Sequence, residues 1–172
     1  LFLFFSFLLS LYYLETSDIP LLYSTLIALI FGLLPLIYVQ QTNYLTILEG
    51  VVIVVFGWIV TCLVGSLPYI LWGGEFSLIN AWFESVSGFT TTGATVLNDI
   101  EALPKSLLFW RSSTHWIGGI GIILFILLVL PESNTSKLML LNTEMSKIAK
   151  SDFKYRAKDI FKILFYVYLG LT

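Results

Sequence analysis

Thiols and imidazoles are nearly absent from this chain: Cys62 is its one cysteine and His115 its one histidine. With no second thiol, an internal disulfide and a cysteine-rich zinc cluster are excluded, and Cys62, set in an apolar run, reads as small core filler. His115 lies beside Trp116 with no carboxylate at ligand spacing. It reads as a hydrogen-bonded core residue, not as a proton relay or metal ligand. Charge is scarce too. Charged residues make up 12% of the 172, and the formal net charge of −2 argues against nucleic acid as a partner. No basic stretch precedes the first apolar run, Leu1 to Leu14, so a signal peptide is not supported. The chain opens without methionine and stops inside an apolar run, and is expected to be a fragment of a longer protein.

What the chain has in excess is apolar surface. Hydrophobic residues make up 58% of it and the mean hydropathy is +0.91. A soluble domain of this size needs far less, so the composition is that of an integral membrane protein, all-α in fold class. Leu1 to Leu14 is short for a span and reads as a truncated first helix. The polar turn ETSDIP (15–20) follows, where Asp18 and Pro20 suit a helix start. Leu21 to Val39 is a second helix with Pro35 as its candidate bend. After QQTN (40–43), Leu45 to Trp72 is long enough to cross a bilayer with tilt, and carries Glu49 and Pro68. Pro104 to Leu130 is a fourth membrane-length helix, closed by Pro131, and Asp159 to Thr172 begins a fifth.

Basic residues set an expected orientation. Six of the nine (Lys137, Lys147, Lys150, Lys154, Arg156 and Lys158) fall between the fourth and fifth helices, which places residues 132–158 in the cytoplasm. Counting back, the 15–20 turn and the acidic 98–101 loop lie outside. Within 132–158, Met139, Leu140, Leu141, Met145 and Ile148 recur at roughly helical spacing among the lysines. They read as an amphipathic helix on the inner membrane surface, attracted to anionic lipid. NTS (134–136) matches a glycosylation sequon, but the cytoplasmic position makes it accidental.

Between the third and fourth helices stands SVSGFTTTGATV (85–96), preceded by a helical stretch from Leu78 that is too short to span, since a bilayer needs roughly 20 apolar residues. A short helix and an extended Gly/Thr loop between two spanning helices read as a re-entrant pore loop. Irregular backbone at membrane depth is tolerated where it is buried or lines a water-filled cavity. A bare monovalent cation needs oxygens in place of its hydration shell, which successive backbone carbonyls supply. Gly93 would provide the unusual φ/ψ such a backbone requires. The preceding helix would turn its partially negative C-terminal end toward the cation. A Ser/Thr-rich turn outside the membrane explains the same composition, but not the short apolar helix leading into it. Glu84 and Arg111 are charges that need a partner in apolar surroundings, and an interior ion pair bracing the short helix is expected. An electrostatic barrier at Arg111 is the competing reading. Gly118, Gly119 and Gly121 permit close approach of the fourth helix to its neighbours.

The runs FESVSGFTTTGAT (83–95) and FWRSSTHWIGGIGII (109–123), with Leu130 and Pro131, resemble the TrkH family of potassium uptake membrane subunits, related to KtrB and HKT transporters. The resemblance covers about Leu21 to Thr172. It implies an N-terminal helix pair (1–43) and one helix–pore loop–helix repeat (44–131, with pore helix and filter at about 78–97). The cytoplasmic segment (132–158) and the start of a second repeat (159–172) would follow, in a pore built from four such repeats. Laid over the TTVGYG filter of K⁺ channels, residues 90–95 read TTTGAT. The carbonyls of Thr91, Thr92 and Gly93 are then the expected K⁺ ligands, with Ala94 at the outer mouth and Thr90, Glu84 and Arg111 as support. The second channel glycine and the tyrosine are absent, which implies weaker discrimination. The resemblance further implies K⁺ as the transported ion, no organic cofactor, a bacterial inner-membrane location, a homodimer, and a cytosolic nucleotide-binding ring of the TrkA type as partner. A secondary transporter with broken helices, or an intramembrane serine protease using Ser87-Gly88 and His115, would be the alternatives.

Overall fold

A computed structural model describes residues 1–38, 47–129, 162–163 and 165–170. Among the described residues, five helices have full bounds: α1 (Phe2–Tyr13), α2 (Asp18–Tyr38), α3 (Ile47–Trp72), α4 (Leu78–Phe89) and α5 (Lys105–Val129). Among the described residues there is no strand, so the all-α expectation holds. The chain divides into two compact units, Leu1–Gly119 and Ile120–Thr172. In the second, residues 120–129, 162–163 and 165–170 are helical. The amphipathic segment expected within 132–158, with its lysines, lies outside the described residues.

Length separates the helices into two kinds. At about 1.5 Å per residue, the 26 residues of α3 reach about 39 Å and the 21 of α2 about 32 Å, both enough for a hydrocarbon core of about 30 Å. These two are long and apolar enough to cross a membrane. The 12 residues of α4 reach only about 18 Å. Helix α2 begins three residues earlier than its apolar run: Leu21 N–H donates to Ser17 O at 3.0 Å, and Asp18 places a negative charge in the first turn, where the helix dipole favours it.

The first unit is built with its apolar side outward. Phe31, Ile53 and Phe56 are each more than half exposed, while Ser6, Ser10, Ser17, Ser24, Ser66, Ser85, Ser106 and Thr114 are buried. In water this would be inverted; against lipid, helices associate through small and hydroxyl residues. Several of these hydroxyls return to their own helix. Ser24 donates to Pro20 O and Thr25 to Leu21 O at 2.7 Å, which satisfies them without a partner helix. Helix α1 packs on α2, α2 on α3, and α3 on α4. The last contact is close. A Cβ on Gly65 would strike the Phe89 ring and come within 2.8 Å of Ser85 Oγ. Ser85 instead donates to Cys62 O at 2.7 Å, and Trp110 Nε1 donates to Gly65 O at 3.1 Å, binding α3 to α4 and α5.

Candidate functional site

Helix α4 and the loop after it form the site. Ser77 caps its start by accepting the Asn80 N–H at 3.2 Å. Its end is a two-bond reversal. Thr91 N–H reaches Gly88 O and Thr92 N–H reaches Ser87 O, both at 3.0 Å, with Thr90 in the right-handed region and Thr91 at φ +57°. This is the Schellman arrangement, in which the position held by Thr91 is usually glycine. Gly93 follows at φ +76°. Two left-handed residues separated by one thus turn the chain out of the helix into the irregular limb 94–97. Thr91 Oγ1 donates to Thr90 O at 2.7 Å, Thr90 Oγ1 donates to Val86 O at 2.7 Å, and the Thr90 and Thr92 hydroxyls meet at 2.8 Å.

Residues 90–94 are exposed, whereas Glu84, Ser85, Ser87, Gly88 and Phe89 behind them are buried. The limb is tied to α4 at two points. Ser87 Oγ donates to Ala94 O at 2.6 Å, so the Ala94 carbonyl faces the helix. Glu84, 1% exposed, takes the second tie: its Oε1 accepts the Thr95 hydroxyl and, at 2.8 Å, the Val96 N–H. Its Oε2 accepts Arg111 Nε from α5 at 3.2 Å. One carboxylate therefore joins the short helix, the descending limb and α5. A single buried charge is costly, but this one is paired and accepts hydrogen bonds on both oxygens.

Helix α5 lies against the end of α4 through small residues. A Cβ on Gly118 would collide with the Phe89 carbonyl, and one on Gly88 with the Thr114 hydroxyl. Thr114 donates to Arg111 O at 2.7 Å and His115 Nδ1 meets the same carbonyl at 2.9 Å, so His115 serves the helix that carries Arg111. Gly119 and Gly121 are half-buried on α5, Gly121 beyond the boundary of the first unit. Gly65 was not singled out from sequence, and Ser87 and Gly88 entered only through the serine-protease alternative, not as packing residues of the loop. The spacing of Gly88 and Ser87 within FESVSGF was the available signal, since small residues on a short apolar helix mark close approach.

The family model for the TrkH cation transport proteins matches residues 21–172. A Trk system potassium uptake protein TrkH of Halomonas elongata is 38% identical over 126 residues, 72% of this chain and 26% of its own length. An uncharacterized cation transporter of Methanocaldococcus jannaschii is 37% identical over 135 residues, 78% of this chain and 28% of its own. The crystal structure of the potassium transporter TrkH from Vibrio parahaemolyticus superimposes with a TM-score of 0.77 at 30% identity, over 98% of this chain and 33% of that one. The chain thus spans about a quarter of the length of the curated relatives it matches. With an all-helical fold, two membrane-length apolar helices and these similarities, the chain belongs to the TrkH family of cation transport proteins.

Proposed function

We propose that this chain supplies one quarter of the selectivity filter of a potassium uptake pore. The carrying observation is the reversal at the end of α4, where Thr91 and Gly93 are both left-handed within an exposed loop braced from behind by Glu84. Successive residues of alternating handedness turn successive carbonyls toward one side, which is what dehydrating a cation requires. The C-terminal end of α4 adds partial negative charge at that place. The carbonyls of Thr91, Thr92 and Gly93 are the ligands in this reading. Ala94, whose carbonyl accepts from Ser87, holds the loop to the helix instead. Potassium as the ion is supported by the relatives named as potassium uptake proteins and a potassium transporter.

Glu84 and Arg111 are the brace. Removing one partner of a buried pair costs about 3–5 kcal/mol, so neither charge is dispensable to the loop's shape. Ser87 and His115, the pair a serine protease would need, are engaged elsewhere: Ser87 on Ala94 O, and His115 Nδ1 on Arg111 O. The full protein would lie in the inner membrane with residues 132–158 cytoplasmic, as a homodimer over a TrkA-type ring.

The test uses the full-length protein in a bacterium deficient in K⁺ uptake, wild type beside Gly93→Ser. A Cβ at Gly93 would meet nothing within 4 Å, so serine fits by volume and is strained only through φ +76°. The expected result is normal membrane abundance with lost preference for K⁺ over Na⁺. Unchanged preference at normal abundance would make Gly93 a turn glycine and remove the filter reading.

A further inference from the structure

We propose that Glu15, in the turn between α1 and α2, is a positioning residue for the filter, acting through α5; this rests on the reading of residues 90–95 as a filter. Helix α5 starts after Pro104, which has no side-chain acceptor to cap it. Its first backbone donors are nevertheless all accounted for. Leu107 and Leu108 donate to Pro104 O at 2.9 and 3.0 Å. Lys105 N–H donates to Glu15 Oε1 at 2.8 Å and Ser106 N–H to Glu15 Oε2 at 3.1 Å. Ser106 Oγ adds a third bond to Oε2 at 2.6 Å. The cap of α5 is thus a carboxylate about 90 residues away in sequence, placed where the helix dipole favours negative charge.

The contact is built rather than incidental. Ser10, Ser17 and Ser106 are fully buried and form a hydroxyl chain, Ser10 to Ser17 at 3.0 Å and Ser17 to Ser106 at 2.6 Å. The Lys105 ammonium sits over the Tyr13 ring, 4.4 Å from its centroid, so α1 also holds the first turn of α5.

From that turn the linkage runs to the filter through rigid parts. Arg111 lies six residues on, about 9 Å along the axis. Its Nε holds Glu84 Oε2 at 3.2 Å, and the other oxygen of Glu84 holds Thr95 and Val96. A helix shifted or rotated at its first turn carries the guanidinium with it. A bond of 3.2 Å has little tolerance before its geometry fails. Glu15 therefore sets where Arg111 stands, and Arg111 and Glu84 set the descending limb of the loop.

The experiment compares Glu15→Gln and Glu15→Asp in the full-length protein, reading K⁺ and Na⁺ uptake per molecule of protein in the membrane. Glutamine is the closer isostere, but it puts a neutral amide where two carboxylate oxygens receive four donors, the fourth being the Ser17 hydroxyl at 3.5 Å; aspartate keeps the charge on a shorter stem. The expected result is a several-fold fall in K⁺ preference for Glu15→Gln, with Glu15→Asp nearer to wild type. Combining Glu15→Gln with Glu84→Gln should add little beyond Glu84→Gln alone, since both act on one linkage. If either Glu15 variant is too scarce to assay, Ser106→Ala, which removes one of the four donors, should show the same change at smaller size. Wild-type preference in Glu15→Gln, or glutamine outperforming aspartate, overturns the proposal. Gly93→Ser run alongside separates the two failures: lost preference there with none in Glu15→Gln sinks the positioning role alone, and no change in either sinks the filter reading.

Discussion

Two non-glycine residues among those described have positive φ, Leu14 and Thr91, and Thr91 is the β-branched one. A β-branched side chain at φ +57° costs roughly 1–2 kcal/mol relative to its ordinary conformations, and the next left-handed position, Gly93, costs nothing comparable. Strain of this kind persists only where surroundings enforce it, and it concentrates where function needs a fixed backbone. Here the two reversal bonds and the Thr91 hydroxyl on Thr90 O enforce it. Thr91→Gly relieves the strain but loosens the unfolded chain by roughly 0.5–1 kcal/mol, so the net effect is between zero and about 1.5 kcal/mol of stabilisation. The purified full-length protein should then melt at the same temperature or slightly higher, while, on the proposed filter reading, its preference for K⁺ falls as the loop gains freedom. A clear drop in melting temperature would show that Thr91 is not strained. Propensity alone points to glycine at this position, so its conformation was not legible in the sequence. That of Gly93 was, because a lone glycine in a threonine run has few other reasons to be there.

Between elements, the decisive contact is that of α5 with the end of α4. Gly118→Ala places a methyl group against the Phe89 carbonyl, a backbone atom that cannot rotate away, so the helices must separate. Overpacking of this sort costs about 1–3 kcal/mol, and the displaced atoms belong to the helix end that carries the loop. Gly118→Ala should lower the melting temperature and impair ion preference together. Gly57→Ala in α3, with nothing within 4 Å of the added carbon, should instead be neutral or stabilising by up to about 1 kcal/mol through helix propensity. Equal losses in both would mean that helix flexibility, not contact, sets the effect. The helices themselves were legible, because apolar length in a membrane is a strong signal. Charges were legible as well: Glu84 and Arg111 had to be partnered, and they meet. The Ser87 bond to Ala94 was not, since a hydroxyl has many possible acceptors and sequence does not rank them.

At the scale of the first unit, Glu15 joins the α1–α2 hairpin to α5, a link no local pattern announces because its two ends are about 90 residues apart. The link should be sensitive to acid. Burial acts to raise the Glu15 pKa, but the hydrogen bonds from the Ser106 side chain and backbone, from Lys105 N–H and from Ser17 outweigh it and hold the carboxyl below its ordinary value. A carboxyl with a depressed pKa in the folded protein contributes stability that is fully present above its unfolded pKa of about 4.3 and is lost as pH falls through the lower folded value. Neutral and mildly acidic media should therefore leave the joint intact, with loosening confined to pH below the ordinary carboxyl range. Wild type and Glu15→Gln melted in parallel across this range give the test. Their melting temperatures should differ at neutral pH and converge in acid, because the protonated wild type then presents a neutral cap like glutamine. A gap that stays constant down to the acid limit would mean that Glu15 contributes by shape, not by charge.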